Sequence, residues 1–198
     1  SFGRLDLDTL RNEVKAGKTL TSLMWANNET GVIFPVGMIG EIVHEFGGIF
    51  HTDAVQAVGK IPMKVSELPI DMLSLSGHKL HAPKGVGAIY IRRGTKVKPL
   101  VLGGHQERGR RAGTENVPYI VGLGVACDLA AKHLDEENTR VKAMRDRLEQ
   151  GILATCPGAR VNGDAKCRLP NTTNISFDFI EGEAILLMLD DRGICAST

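Results

Sequence analysis

Residues 70–79, Ile-Asp-Met-Leu-Ser-Leu-Ser-Gly-His-Lys, join an apolar run directly to a lysine-bearing turn. The apolar run predicts a buried strand, and Lys79 follows it after a serine, a glycine and a histidine. In α/β folds the ligands bind at the carboxyl ends of the strands. A lysine in a partly desolvated pocket can lose its proton and attack a carbonyl carbon. The pattern therefore predicts a reactive amine at a ligand site.

A second strand pattern, residues 48–52, ends in Asp53, and Gln56 follows three residues later. A lysine for a Schiff base and a carboxylate for a pyridine nitrogen are the groups that pyridoxal 5'-phosphate requires. His51 lies two positions before Asp53, so both side chains should project to one face of the strand. We interpret His51 as a packing residue beside the site.

Strand and helix patterns alternate in the first half of the chain. We predict strands at 19–25, 49–53, 70–76 and 87–92, a helix at 36–46 that ends at Gly47-Gly48, and a short helical stretch at 54–58. Such alternation predicts an α/β fold, with a mostly parallel sheet flanked by helices.

The second half of the chain has a different pattern. A loop rich in glycine and arginine covers about 103–118, and a loop of this length is usually functional or disordered. A helical region at 119–154 is interrupted by charged residues near 134–138, and a strand (174–179) and a helix (182–191) follow. We predict a large α/β domain over residues 1–134 and the start of a smaller α+β domain over residues 135–198.

Composition restricts the class of protein. The formal net charge of +1 and the apolar content of 42% give no reason to expect a nucleic acid or a membrane as partner. The four cysteines form no Cys-x-x-Cys pair, which argues against a zinc site and a disulfide framework. Neither a charged-then-apolar leader nor a run of membrane-spanning length is present. We expect a soluble protein of the cytoplasm, without a metal.

Four segments carry a family resemblance. They are WANNETG (25–31), HTDAVQ (51–56), SLSGHK (74–79) and RGRRAGT (108–114). In this order they resemble the NifS-type cysteine desulfurases, and the resemblance covers essentially all 198 residues. It implies fold type I of the pyridoxal-phosphate-dependent transferases and conversion of L-cysteine to L-alanine. The sulfur would pass through an enzyme persulfide to an iron–sulfur scaffold protein, in cluster assembly and nitrogen fixation.

The resemblance gives roles to residues of the lysine segment and of the aspartate strand. Lys79 would form the Schiff base and then act as general base on the substrate's α-proton. Asp53 would keep the pyridine nitrogen protonated, because an opposite charge favours the ionised form of its partner. Gln56 would face the phenolic oxygen, and Ser76 and His78 would bind the phosphate. Without the resemblance these would be a surface lysine, a helix-capping aspartate, a surface glutamine and turn residues.

Two further cofactor-binding residues are implied. Thr114 corresponds to the threonine that reaches the phosphate of the neighbouring subunit, which implies a homodimer with shared sites. Asn28 could hydrogen-bond the cofactor or the bound amino acid, although a turn-forming asparagine is the alternative. The arginines at 108–111 would position the loop of Thr114, or would form only a solvated basic loop.

The thiol that forms the persulfide is not expected among the four cysteines. Cys195 follows an apolar helix pattern, so we expect it to be buried. The Gly-Ser-Ala-Cys loop of the family would begin beyond Thr198, and its N-terminal phosphate loop and stacking histidine have no counterpart before Asn28. The resemblance therefore implies a piece of a longer enzyme that does not turn over cysteine by itself.

Two alternatives remain at the level of the sequence. One is another enzyme of the same fold and cofactor, such as a selenocysteine lyase or an aminotransferase-like protein. The other is a non-catalytic module for dimerisation or scaffold binding. Products from cysteine and selenocysteine would separate the enzymes, and a cofactor adduct on Lys79 would exclude the module.

Overall fold

The structure is a computed structural model that describes residues 2–17 and 19–198. Its strands are β1 (Leu20–Met24), β2 (Ile49–Asp53), β3 (Met72–Ser76), β4 (Gly87–Ile91), β5 (Ala159–Val161) and β6 (Ile175–Phe177). Its α-helices are α1 (Leu7–Val14), α2 (Val36–Glu45), α3 (Gln106–Gly109), α4 (Val117–Lys132), α5 (Leu134–Glu136), α6 (Lys142–Thr155) and α7 (Gly182–Asp190). Short 3₁₀ helices cover Val65–Glu67 and Gly77–Leu80, and a π-helical turn covers Glu137–Val141.

The sheet has the order β1-β2-β3-β4. The β1–β2 and β2–β3 pairs are parallel and the β3–β4 pair is antiparallel, which confirms the predicted mostly parallel α/β sheet. In its register Asp53 at the end of β2 lies opposite Ser74 of β3. Both strands therefore deliver their carboxyl ends to the same edge of the sheet. Strands β5 and β6 form a separate antiparallel pair.

The core is formed by residues of the sheet together with helices α1 and α2. Along β2 the buried Phe50 and Thr52 alternate with His51 and the exposed Asp53, so the latter two share a face as predicted. Phe50 packs in one apolar cluster with residues of α1, α2 and the strands. His51 accepts or donates a 2.7 Å hydrogen bond with the hydroxyl of Ser22, consistent with a supporting role.

Helix α2 lies so close to the segment before β3 that only a glycine fits at the point of contact. A Cβ atom added to Gly40 would lie 2.1 Å from the carbonyl oxygen of Pro69. Gly40 itself is buried in the face of α2 that meets the core. The backbone contact therefore sets the distance between this helix and the segment that leads into β3.

Gly40→Ala is expected to destabilise the protein by about 1–3 kcal/mol, because the new methyl group overpacks against backbone. Gly151→Ala is the matched control, since Gly151 lies inside α6 with nothing within 4 Å of an added Cβ. That substitution should stabilise by about 0.5–1 kcal/mol through helix propensity. Urea unfolding midpoints at constant m-value measure both. Equal midpoints for the two variants would contradict the close-contact argument.

Some predicted elements differ from the observed ones. Residues 54–58, predicted as a short helix, form hydrogen-bonded turns in which Ala57 and Val58 both donate to the carbonyl of Ala54. This prediction was wrong, because the turns end before a helix can propagate. Helix α1, which no pattern had suggested, is capped by Asp6, whose carboxylate accepts from the N–H groups of Asp8 and Thr9. The Gly/Arg loop contains the four-residue turn α3, in which Glu107 and Arg108 have left-handed φ angles of 51° and 59°.

The helical region after the loop is bent. Helix α4 and the stretch Leu134–Thr155 meet at an angle of 52°, near the charged interruption seen in the sequence. In the described part of the chain no single helix is long and apolar enough to cross a membrane, and this bent pair meets that test only in combination. Lys60 of the first half forms a 2.7 Å ion pair with Glu137 beyond the bend. A domain boundary near residue 134 stays a prediction.

Candidate active site

The lysine predicted to be reactive lies in the 3₁₀ helix Gly77–Leu80, immediately after β3. A Cβ at Gly77 would lie 2.9 Å from the carbonyl oxygen of Val86, to which the Gly77 N–H donates at 2.8 Å. The turn ends at His81, which has a left-handed φ of 64°. Such a conformation is sterically costly for a residue with a side chain. Close packing at Gly77 and the left-handed residue His81 thus define the two ends of the turn that carries Lys79.

Three of the predicted site residues line one cavity. Gln56, His78 and Lys79 share a cavity of about 270 Å³, here called the lysine cavity, whose complete lining is Val55, Gln56, Val58, Lys60, His78, Lys79, His81 and Asn171. The sequence suggested a partly desolvated lysine, whereas the structure leaves Lys79 exposed. A second cavity, of about 340 Å³, shares Lys60, Lys79 and His81. The amine at position 79 is therefore accessible to a ligand.

Ser76 and His78 form a hydrogen-bonded pair beside the lysine. The Ser76 hydroxyl lies 2.8 Å from Nδ1 of His78. The serine ends β3, and the histidine follows it after one glycine, so the strand end and the tight turn together produce this contact. A hydroxyl and an imidazole in this position can both donate hydrogen bonds to an anionic group.

Asp53 lies at the end of the neighbouring strand. Its Oδ1 accepts a 2.9 Å hydrogen bond from the N–H of Val55. Asp53 therefore makes the capping contact that was the alternative to a cofactor-binding role, although no helix follows. Because Asp53 is opposite Ser74, strand geometry puts its Cα roughly 8 Å from that of Ser76. The carboxylate is exposed and adjoins Val55, a residue of the lysine cavity. It lies within reach of a small ligand beside Ser76.

The structure does not bring Asn28 into the lysine cavity. Asn28 is exposed after β1, donates to its neighbour Glu29, and lines a different cavity of about 570 Å³ together with parts of 172–198. Asn27 forms the turn, since its Oδ1 accepts from the N–H groups of Glu29 and Thr30. The turn-forming alternative therefore applies to Asn27 and leaves the amide of Asn28 at the surface.

Thr114 lies on the exposed loop between α3 and α4, apart from the other candidate residues. The Arg111 guanidinium donates at 2.9 Å to the carbonyl of Gly113, whose N–H donates to the side chain of Gln106. Arg111 therefore shapes this loop, as suggested for the arginine run. Arg108 and Arg110 have no comparable hydrogen bond within residues 2–17 and 19–198.

One cysteine differs from its predicted burial. Cys195, expected to be buried, is exposed, as is Cys167. The apolar helix α7 before it exposes Leu187 and Met188, so it provides no apolar layer to cover the thiol. Burial raises the pKa of Cys127, in α4, which disfavours its thiolate. Within residues 2–17 and 19–198 no three His, Cys, Asp or Glu side chains form a group that could hold a metal ion.

Three polar residues of the lysine cavity were not selected as site residues from the sequence. They are Lys60, His81 and Asn171. His81 lies two positions after Lys79 and could have been suspected from that spacing. Lys60 and Asn171 come from distant parts of the chain and have no local signal. By contrast His44, also without an assigned role, is a structural residue that pairs with Asp71 at 2.7 Å.

The chemistry of these side chains fits pyridoxal 5'-phosphate. The lysine cavity and its edge combine an amine, a hydroxyl, an imidazole, a carboxamide and a nearby carboxylate. An aldehyde, a phosphate, a phenolic oxygen and a pyridine nitrogen would each find a group of suitable type among them. Lys79, Ser76, His78, Gln56 and Asp53 are the residues that would hold the cofactor.

The family Aminotransferase class-V matches residues 1–198, and the chain belongs to this family. Relatives within this family confirm the resemblance to NifS-type enzymes. A cysteine desulfurase of Gluconacetobacter diazotrophicus is 64% identical over 196 residues, which are 99% of this chain and 49% of that protein. The cysteine desulfurase NifS of Azotobacter vinelandii is 57% identical over 196 residues, again 99% of this chain and 49% of that protein.

Solved structures agree with this assignment. A protein described as NifS-like superposes with a TM-score of 0.94 at 41% identity, covering 100% of this chain and 54% of that one. The chain spans about half the length of the curated relatives it matches.

Proposed function

We propose that the protein is a pyridoxal-phosphate-dependent cysteine desulfurase that converts L-cysteine to L-alanine and passes the sulfur on as an enzyme persulfide. The observation that carries this proposal is the lysine cavity, in which Lys79, His78 and Gln56 meet, in a chain of the class-V aminotransferase family. Curated relatives at 54–64% identity bear the name cysteine desulfurase.

Each residue has a task that follows from its position. Pyridoxal phosphate, when bound, supplies an electron sink for the charge left at the substrate's α-carbon. Lys79 would hold the aldehyde carbon of the cofactor and, as a free amine, would accept the substrate's α-proton. Asp53 favours the protonated pyridine nitrogen. Ser76 and His78 donate to phosphate oxygens, where hydrogen bonds to charge are the strong ones.

Gln56 and Asn28 complete the set of cofactor-binding residues. Gln56 lines the lysine cavity together with Lys79, and its amide would donate to the phenolic oxygen. Asn28 would act from the neighbouring turn after β1, toward the cofactor or the amino acid. We place the boundary between the large and small domains near residue 134, where the helical region bends.

We further propose a homodimer in which Thr114 reaches the phosphate of the neighbouring site. Before the loop of Thr114, Leu100 and Leu102 are 95% and 79% exposed, and a second subunit would remove this apolar surface from water. The sulfur acceptor would be an iron–sulfur scaffold protein, in cluster assembly that serves nitrogen fixation. A cytoplasmic location suits the free thiols at 127, 156, 167 and 195.

The test is covalent trapping in the full-length protein. After incubation with pyridoxal phosphate and reduction with borohydride, peptide mapping should find the adduct on Lys79 and leave Lys84, an exposed lysine of the following turn, unlabelled. Alanine and persulfide should form from L-cysteine. A protein without an adduct would support the non-catalytic module, and exclusive use of L-selenocysteine would support the lyase.

A further inference from the structure

Among the described residues, Asn171 alone brings the C-terminal part of the chain into the lysine cavity. It lies on the connection between β5 and β6, far along the sequence from Lys79. Its side chain is exposed, so nothing in the core requires an asparagine at this position. The hydroxyl of Thr172 contacts its Oδ1 at 3.5 Å, which leaves the Nδ2 donors for another partner.

The backbone around Asn171 is held from both sides by one arginine. Arg145 of α6 is 7% exposed, and its Nη1 donates to the carbonyl of Leu169 at 3.1 Å and to that of Thr172 at 2.8 Å. These two carbonyls bracket Pro170-Asn171. A guanidinium bound to both ends of a two-residue tip fixes that tip against α6.

A largely buried ion pair supports the same segment. Arg168 pairs with Glu149 at 2.8 Å, with only 2% and 13% of the two side chains exposed, and the Thr173 hydroxyl donates to the same carboxylate. The Leu169 N–H donates to the carbonyl of Gly31, which attaches the segment to the turn after β1. An exposed asparagine on so rigid a support is positioned for binding.

The charges of the cavity indicate the ligand group. Its ionisable lining residues are Lys60, His78, Lys79 and His81, and its lining includes no acidic residue. Lys60 is already paired with Glu137, whereas Lys79 is exposed toward the cavity. An amide donor added to such a set favours anionic oxygens.

We propose that Asn171 donates its side-chain amide to an anionic oxygen of the ligand bound beside Lys79. The oxygen belongs either to the phosphate of the cofactor or to the carboxylate of the amino-acid substrate. This inference rests on the proposed function of the lysine cavity. It adds a binding residue from the second half of the chain to the lining of the lysine cavity.

The experiment uses Asn171→Ala and Asn171→Asp in the full-length protein, with Asn12→Asp as control. Asn12 lies on α1, away from the cavity, and its substitution makes the same change of charge. Two quantities are measured: the Kd of pyridoxal phosphate, from an absorbance titration without substrate, and the KM for L-cysteine.

Asn171→Ala should weaken one of these constants about tenfold, the order expected for a lost hydrogen bond to a charged group. Asn171→Asp should weaken it further by repulsion, while Asn12→Asp leaves both constants unchanged. A raised Kd identifies the phosphate and a raised KM identifies the carboxylate. If the unsubstituted protein binds pyridoxal phosphate and both Asn171 variants match it in both constants, this inference alone is overturned. If the unsubstituted protein fails to bind the cofactor, both the proposed function and this inference are overturned.

Discussion

Lys79→Ala in the full-length protein should lower turnover of L-cysteine by a factor of about 10²–10⁴, the contribution of a positioned general base. The amine is also the group that holds the aldehyde carbon, so the borohydride-reducible adduct should disappear at the same time. Lys79 is exposed at the end of a 3₁₀ turn, and no hydrogen bond of its side chain supports the fold in the described residues. Its removal should therefore leave the unfolding midpoint of the cofactor-free protein unchanged.

Two control variants separate chemistry from charge. Lys79→Arg keeps the positive charge but carries a guanidinium that stays protonated, so it should be as inactive as the alanine variant. Lys84→Ala removes an equally exposed lysine five positions later and should retain full turnover. Activity and adduct formation are measured on the same preparations. Appreciable turnover by Lys79→Arg would show that the amine at position 79 is not the base.

The sheet and the lysine turn were predictable because their signals are local. The apolar runs of β1, β2, β3 and β4 are bounded by polar residues, glycine or proline, and all four strands begin and end within two residues of their predicted bounds. Likewise Ser76 ends one strand, and His78 and Lys79 lie in the turn that follows it. Spacing within a single turn needs no knowledge of the tertiary structure.

The remaining features depend on contacts between distant residues. Asn171 reaches the lysine cavity because Arg145 and Glu149 hold its segment in place. The residues next to Asn171 in the sequence give no sign of these contacts. The prediction that Cys195 is buried, which came from the apolar pattern of α7, was wrong. An apolar pattern identifies the helix face that is able to pack, but it does not show whether another element covers that face. Asn28 belongs to a predicted motif, yet its side chain lines another cavity.

Glu149→Ala should destabilise the protein by about 3–5 kcal/mol, because it leaves the Arg168 charge buried without its partner. Glu45→Ala is the matched control: it also breaks an Arg–Glu pair, with Arg11, but the two side chains are 40% and 52% exposed. Water and salt screen that pair, so its loss should cost about 0–1 kcal/mol. Urea midpoints at constant m-value compare the two variants.

The acid dependence of stability gives an independent readout of the same pair. Burial raises the pKa of Glu149, but hydrogen bonds from Arg168 and Thr173 outweigh it, so the net pKa lies below the ordinary 4.5. A carboxylate with a lowered pKa in the folded state stabilises the protein above its unfolded pKa, and that contribution is lost as the pH falls through the folded value. Glu149→Ala should therefore lose less stability than the unsubstituted protein when the pH is lowered from 7 to below 4. A variant whose midpoint falls as steeply with acid as that of the unsubstituted protein would show that this ion pair does not hold the segment of Asn171 in place.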